Sequence, residues 1–196
     1  HAALLDAANL LECPILKFKH ADQQEFARAI ARCGRGARPI VLADGMFSHV
    51  GSVAPLKTYL TSLPPDGRVL VDDAHGAGVL GKTGKGTLEA EGVSRQRVVQ
   101  CIALSKAFGT YGGAVLGPRG LRETIPERSR LFVGTTPMPL PMASASLAAI
   151  RILKTDRRLR PRLRENVLHV TSPLRSAGIS VPETPGPIVA LPVQDE

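Results

Sequence analysis

Short apolar segments that alternate with helix-like segments constrain the fold of this chain more than any other feature. Several of these segments are apolar without strict alternation, as expected of strands buried within a sheet. Strands separated by helices need crossover connections, so the pattern predicts a three-layer α/β/α fold with a mostly parallel central sheet. The segments predicted as strands are 14–20, 39–45, 68–73, 98–104 and 112–117.

One connection between predicted strands carries clear helix signals, at residues 21–34. Asp22 is predicted as the N-cap residue, with Glu25 three positions later as in an acidic variant of the capping box. Gly34 is predicted to end the helix.

The character of the sequence changes near residue 140. An alanine-rich segment without Gly or Pro predicts a helix over 142–160, and the apolar segment 186–193 predicts one further strand. We therefore expect a major domain over 1–140 with its N-terminal part missing. Residues 141–196 are expected to be a connecting helix and the start of a smaller, truncated C-terminal α+β domain.

Composition excludes several classes of protein. A hydrophobic content of 43% excludes wholesale disorder, and the 4% aromatic content without Trp leaves few rings for stacking on nucleic-acid bases. The net charge is +8, but much of that excess lies in 154–164 and is predicted to form a solvated helix face rather than a nucleic-acid site. No apolar window is long enough to span a membrane.

The cysteines and the first residue give two further expectations. Cys13, Cys33 and Cys101 are odd in number and widely spaced, which predicts no zinc site, no disulfide framework and a cytoplasmic location. No metal-binding residues are predicted. The chain begins with His1 rather than Met, so we expect a segment of a longer polypeptide.

A glycine-rich loop after the third predicted strand matches a phosphate-binding motif. Residues 76–83, "GAGVLGKT", satisfy the G-x-x-x-x-G-K-[ST] pattern. A working phosphate loop must lead directly into a helix, whereas "GKG" follows here and glycine disfavours helix by about 1 kcal/mol per residue relative to Ala. Nucleotide binding, a flexible surface turn and a cofactor-shaping loop all remain open from the pattern alone.

Chemically distinctive side chains follow two neighbouring predicted strands. Asp72, Asp73 and His75 follow one strand, and Lys106 follows the next. Ligands of parallel sheets bind at the carboxyl ends of strands, where a half-buried aspartate needs a cationic partner and a lysine can form a covalent bond to an aldehyde. This combination is what pyridoxal 5'-phosphate requires. Taken singly, Asp72 is equally explained as a helix cap, His75 as a turn residue and Lys106 as a surface lysine.

Four motifs in order and spacing resemble the α-oxoamine synthases, a family of fold-type-I pyridoxal-phosphate enzymes. The resemblance covers nearly the whole chain, and the V-D-D-A-H-G-x-G-V-L-G-x-x-G-x-G block is its most specific part. It implies that a cofactor-binding loop and a carboxylate-binding arginine lie outside the chain. The motifs are "DGMFSHVGSVAPL", "VLVDDAHGAGVLGKTGKGT", "ALSKAFGTYGG" and "FVGTTPMPLP".

The resemblance implies catalytic and cofactor-binding roles for three residues already singled out. Lys106 would be the lysine that holds pyridoxal 5'-phosphate covalently, and Asp72 the partner of its pyridine nitrogen. His75 would donate a hydrogen bond to the phenolic oxygen of the ring.

Further cofactor contacts are implied at other positions. His1 would stack on the ring, with Ser48 and Ser105 close to the cofactor. Thr135 would reach the cofactor phosphate of a neighbouring subunit, which implies a homodimer with shared active sites. Ala103 departs from the family pattern because many members have a phosphate-binding Thr there, and the loss of one hydroxyl contact costs about 0.5–1.5 kcal/mol.

The reaction implied by the resemblance is the condensation of an amino acid with an acyl-CoA. Carbon dioxide and CoA are lost, and an α-amino ketone is formed. Two alternatives remain from the sequence: an aminotransferase or lyase of the same fold, and a non-catalytic subunit that acts through its dimer surface. No nucleic-acid or membrane partner is expected.

Overall fold

The fold is built on a four-stranded sheet in the computed structural model, which describes residues 1–129, 132 and 134–191. The strand order is β1-β2-β3-β4; β1 pairs with β2 and β2 with β3 in parallel, while β4 is antiparallel to β3. This mixed sheet with flanking helices confirms the predicted α/β class and four of the predicted strands. The strands are β1 (Ile40–Asp44), β2 (Arg68–Asp72), β3 (Val98–Ala103) and β4 (Gly113–Leu116).

Seven α-helices and one short 3-10 helix, Arg95–Arg97, surround the sheet in the described residues. The predicted cap of the second α-helix is confirmed, because Asp22 accepts a hydrogen bond from the Glu25 amide at 2.8 Å. The helices are α1 (Ala2–Asn9), α2 (Gln23–Ala31), α3 (Leu56–Ser62), α4 (Thr87–Ala90), α5 (Arg119–Arg128), α6 (Leu140–Thr155) and α7 (Leu159–Ser176).

Side chains along β2 point alternately to the hydrophobic core and to the opposite face of the sheet. Val69 and Val71 are fully buried and belong to the main hydrophobic cluster with Phe26 and Tyr59, whose rings lie 4.8 Å apart. Asp72 points to the opposite face from Val71, because successive side chains of a strand alternate. Burial of the valine face therefore orients Asp72 away from this cluster.

The strand predicted over 14–20 is wrong, because these residues form no strand. Phe18 instead packs against Phe26 of α2 at 5.0 Å and against Tyr59 of α3 at 5.9 Å between ring centroids. Pro14 lacks the N–H that a sheet ladder requires. The segment is therefore held against the helix layer by side-chain packing.

The single helix predicted over 142–160 is also wrong. It divides at Asp156, whose backbone is extended and whose carboxylate accepts from the Arg158 amide at 2.9 Å and pairs with the Arg158 guanidinium at 2.8 Å. A short aspartate side chain that bonds the backbone two residues ahead favours a turn over a helix. The basic segment 154–164 therefore spans a turn between two helices rather than one helix face.

Two boundary predictions are corrected as well. Helix α2 ends at Ala31, and the glycine with a left-handed backbone after it is Gly36 (φ 77°), not Gly34. The strand predicted over 186–193 is absent from 186–191, and its last two residues lie outside the described residues. None of the helices in the described part of the chain has the length and hydropathy that a bilayer crossing requires.

Candidate functional site

The carboxyl ends of the three parallel strands lie side by side. Asp44 at the end of β1 is in register with Asp72 at the end of β2, and Asp72 is in register with Cys101 of β3. The loops that continue β2 and β3 therefore leave the sheet at the same edge. This is the position predicted for the ligand site.

Lys106 and His75 meet at this edge, with Lys106 Nζ 2.8 Å from His75 Nε2. Burial, followed by the charge of Lys106, lowers the pKa of His75, against the opposing charges of Asp72 and Asp44. A neutral imidazole can accept the hydrogen bond of the Lys106 ammonium through Nε2. The arrangement places the lysine nitrogen and the imidazole within hydrogen-bond distance of each other.

Asp72 is half-buried beside this pair. Its Oδ1 accepts a hydrogen bond from the Ala74 amide at 3.1 Å, and no side chain in the described part of the chain bonds either oxygen. A half-buried carboxylate with one oxygen unpaired is suited to a cationic ligand group.

Asp73 faces the opposite way and is fully buried. Its carboxylate accepts from the Thr87 amide at 2.8 Å, the Thr87 hydroxyl at 2.6 Å and the Gln100 amide group at 2.6 Å. Burial raises the pKa of Asp73, the hydrogen bonds from Thr87 and Gln100 lower it, and the charge of Asp72 raises it further; the net direction is upward. No role for Asp73 follows from the sequence alone.

Asp44 and His1 also lie at this edge of the sheet. Asp44, which is 6% exposed, was not predicted as a site residue, although its place at the end of a buried strand was a usable signal. The backbone nitrogen of His1 lies 3.1 Å from Asp44 Oδ1, which places His1 close to the strand ends. Its ring accepts a hydrogen bond from the Ala3 amide at 3.2 Å and caps α1.

The other predicted cofactor-binding residues are exposed and are not bonded to this group. The hydroxyls of Ser48 and Ser105 make no side-chain hydrogen bond to a described residue. Thr135 donates to the Phe132 carbonyl at 3.2 Å. The structure thus brings together Asp72, His75 and Lys106 but not these three hydroxyls.

The glycine-rich loop already holds an anion of its own, the carboxylate of Glu89. The amides of Thr83 and Lys85 each donate to it at 3.0 Å, and the Thr83 hydroxyl donates at 2.9 Å. Partial burial alone would raise the pKa of Glu89, but these hydrogen bonds and the Lys85 charge hold that pKa below its ordinary value. Helix α4 is only four residues long. Glu89 therefore takes two of the loop amides, and the loop does not lead into the long helix that nucleotide binding needs.

No group of three or more His, Cys, Asp or Glu side chains is placed to hold a metal ion in the residues that the structure describes. The three cysteines are free and provide no disulfide.

Comparison with known proteins identifies the family to which this chain belongs. The sequence profile of the family "aminotransferase class I and II" matches residues 1–196. An 8-amino-7-oxononanoate synthase of Thioalkalivibrio sulfidiphilus is 38% identical over 197 residues, which are 100% of this chain and 50% of that protein. A second such synthase, from Methylococcus capsulatus, is 38% identical over 97% of this chain and 50% of its own length.

Solved structures show the same relationship. A serine palmitoyltransferase from S. paucimobilis with a bound PLP–myriocin aldimine has a TM-score of 0.92 and 28% identity, covering 100% of this chain and 52% of that chain. An 8-amino-7-oxononanoate synthase from Francisella tularensis, 24% identical with a TM-score of 0.78, covers 92% of this chain and 52% of its own and shows the shared fold. The resemblance to the α-oxoamine synthases is confirmed, and the chain spans about half the length of the curated relatives it matches.

Proposed function

Because this chain belongs to the aminotransferase class I and II family, we propose that it carries the cofactor lysine of a pyridoxal 5'-phosphate-dependent acyltransferase. The full-length enzyme condenses an amino acid with an acyl-CoA, with loss of CoA and carbon dioxide, to give an α-amino ketone. The observation that carries the proposal is the contact of Lys106 with His75 beside the unpaired oxygen of Asp72. The relatives named 8-amino-7-oxononanoate synthase support acyl transfer over other chemistry of the same fold.

The residues at the strand ends fit this cofactor. The exposed Lys106 amine is available to bond its aldehyde carbon, and Asp72 has an oxygen available for a protonated ring nitrogen. His75 would hydrogen-bond the phenolic oxygen, His1 would lie against the ring, and Ser48 and Ser105 would supply hydroxyl contacts. When bound, the cofactor supplies a ring that withdraws electrons from the Cα of an amino acid.

Lys106 has the proton-transfer role in this proposal. As a free amine it would take the proton from the substrate Cα. Its neighbour His75 is kept neutral by burial and by the lysine charge, so it accepts rather than competes for the lysine proton. The 2.8 Å contact therefore holds the Lys106 nitrogen in place while its protonation state changes.

The proposed assembly is a homodimer with shared active sites. Thr135 is exposed and would reach the cofactor phosphate of a neighbouring subunit. That contact would partly offset Ala103, which has no hydroxyl to offer from its own subunit. The net charge of +8 would favour the approach of anionic CoA.

The domain division and location also stand as proposals. We assign 1–140 to the cofactor-binding domain and 141–196 to the connection with a smaller domain. The unpaired cysteines support a cytoplasmic location.

The test is a panel assay on the full-length protein. Purified protein with pyridoxal 5'-phosphate is incubated with pairs of amino acids and acyl-CoAs, and free CoA is measured. We expect CoA release that needs both substrates and is lost in Lys106→Arg, which keeps the charge but cannot hold the cofactor covalently. Conversion of the amino acid to its oxo acid without CoA release would instead establish an aminotransferase.

A further inference from the structure

The buried Asp73 carboxylate joins the two ends of the loop 74–86, which contains the glycine-rich segment 76–83. Asp73 immediately precedes residues 74–86, and Thr87 immediately follows them. The two residues are joined by two hydrogen bonds, from the Thr87 amide at 2.8 Å and the Thr87 hydroxyl at 2.6 Å. The loop that carries His75 is therefore fastened at its base by one carboxylate.

The same carboxylate fastens the loop to β3. Gln100 of β3 donates to Asp73 at 2.6 Å and to the Lys85 carbonyl of the loop at 3.0 Å. The Asp73 amide donates to the Cys101 carbonyl at 2.8 Å. The end of β2, the loop and β3 therefore meet at Asp73.

Three glycines allow the backbone to close around this carboxylate. A Cβ at Gly45, Gly76 or Gly86 would overlap an oxygen of Asp73. Gly86 also has a left-handed backbone, φ 86°, which side chains rarely adopt. The space around the Asp73 carboxylate therefore has no room for a side chain at any of these three glycines.

Asp72 can contact a ligand, whereas Asp73 can contact only other parts of the protein. Asp72 faces the ligand edge, whereas the neighbouring carboxylate has no exposed surface and touches only protein. Buried hydrogen bonds that fix the Asp73 side chain also restrain the backbone at this residue, and that backbone sets the direction in which the Asp72 side chain leaves the chain. The Ala77 amide donates to the Asp73 carbonyl at 2.9 Å, so the turn that contains His75 begins at the same restrained residue.

We propose that Asp73 is a positioning residue, whose hydrogen bonds to Thr87 and Gln100 hold Asp72 and His75 in the orientation that receives pyridoxal 5'-phosphate. The inference rests on the proposed function, because it concerns the same cofactor. It adds a role for the second aspartate of the "DDAH" segment. The carboxylate contributes without touching cofactor or substrate.

The test compares substitutions of Thr87 in the full-length protein. Thr87→Val keeps the size of the side chain and removes the hydroxyl donor, and Thr87→Ser restores that donor. Thr61→Val is the matched control, because Thr61 is exposed and its hydroxyl bonds the Thr58 carbonyl of its own helix. Asp73→Asn removes the charge itself. The dissociation constant of pyridoxal 5'-phosphate, the pH midpoint of the absorbance of bound cofactor and the thermal midpoint are measured without substrates.

We expect Thr87→Val and Asp73→Asn to weaken cofactor binding about tenfold, the effect of losing one hydrogen bond to a charged group, and to shift the absorbance midpoint. Thr87→Ser and Thr61→Val should stay within about twofold of wild type. If Thr87→Val lowers only the thermal midpoint and leaves cofactor affinity and absorbance unchanged, the role is structural and the inference is wrong.

The result is separable from the acyltransferase proposal. A wild-type protein that binds the cofactor but releases no CoA would refute acyl transfer, while the comparison of Thr87 variants would still decide the role of Asp73. A wild-type protein that binds no cofactor would overturn both.

Discussion

Replacement of Asp72 by asparagine should separate the chemistry of the site from the stability of the fold. Asp72 makes one hydrogen bond in the described structure, from the Ala74 amide to Oδ1 at 3.1 Å, and an asparagine oxygen can accept the same bond. The substitution therefore removes a charge and keeps the shape of the side chain. We expect the free energy of unfolding to change by less than about 1 kcal/mol.

The effect of Asp72→Asn on turnover should be much larger. The unpaired oxygen of Asp72 is the group that would keep a bound pyridine nitrogen protonated. Loss of one member of a partly buried ion pair costs about 3 kcal/mol, and each 1.36 kcal/mol is a factor of ten in rate, so turnover should fall about a hundredfold or more.

The assay for this prediction is CoA release at saturating cofactor, with the thermal midpoint measured on the same samples. Asp66→Asn is the matched control, because it makes the same charge change on an exposed residue before β2. Wild-type turnover in Asp72→Asn would show that this aspartate is not the partner of the ring nitrogen. A large loss of thermal stability would show that its role is structural.

Three further predictions concern the loop and the histidine. Lys82→Ala should cause no nucleotide-binding defect, because Glu89 already accepts from the Thr83 and Lys85 amides and no long helix follows the loop. Tight ATP binding that the substitution abolishes would restore the nucleotide hypothesis. Gly76→Ala should lower the free energy of unfolding by about 1–3 kcal/mol, because the added methyl group overlaps the buried Asp73 carboxylate. Gly120→Ala should not lower it, because a Cβ there meets no other atom. Equal denaturant midpoints for the two variants would contradict this prediction. The pKa of His75 in the folded protein lies below its ordinary value of 6.5. As the pH falls through about 6.5, the unfolded state therefore binds a proton at His75 more readily than the folded state, and the free energy of unfolding should decrease. Lys106→Met should raise that pKa in cofactor-free protein, and an NMR titration that shows no change would refute the coupling.

The juxtaposition of the catalytic candidates could be predicted from sequence because it depends on topology. Asp72 is the last residue of β2, His75 follows it, Lys106 follows β3, and adjacent parallel strands bring their carboxyl ends together. Burial of Val71 on the core face then directs Asp72 to the other face. Side-chain alternation along a strand, the order of the strands and their parallel direction were sufficient to predict that these residues lie close together.

The partners of Asp73 could not be predicted, because they come from distant parts of the chain. Thr87 lies 14 residues away and Gln100 lies 27 residues away, and neither distance follows a helix or strand period. The Glu89 carboxylate in the glycine-rich loop was missed for a similar reason. The motif showed amides suited to an anion but not which anion they bind.

Two of the errors in secondary structure have a physical origin in side-chain contacts. Packing of Phe18 on α2 and α3 overrides the strand propensity of 14–20. One aspartate, Asp156, overrides the helix propensity of the alanine-rich segment. Residue propensities summed over a segment do not include contacts of this kind between side chains and other parts of the chain.

The most direct test of the account is to find which lysine holds the cofactor. Full-length protein loaded with pyridoxal 5'-phosphate is reduced with borohydride and digested, and the pyridoxyl group is located by peptide mapping. We expect the group on Lys106, in the peptide that contains "SKAFG". A pyridoxyl group on another lysine, or on none, would contradict the assignment of this site.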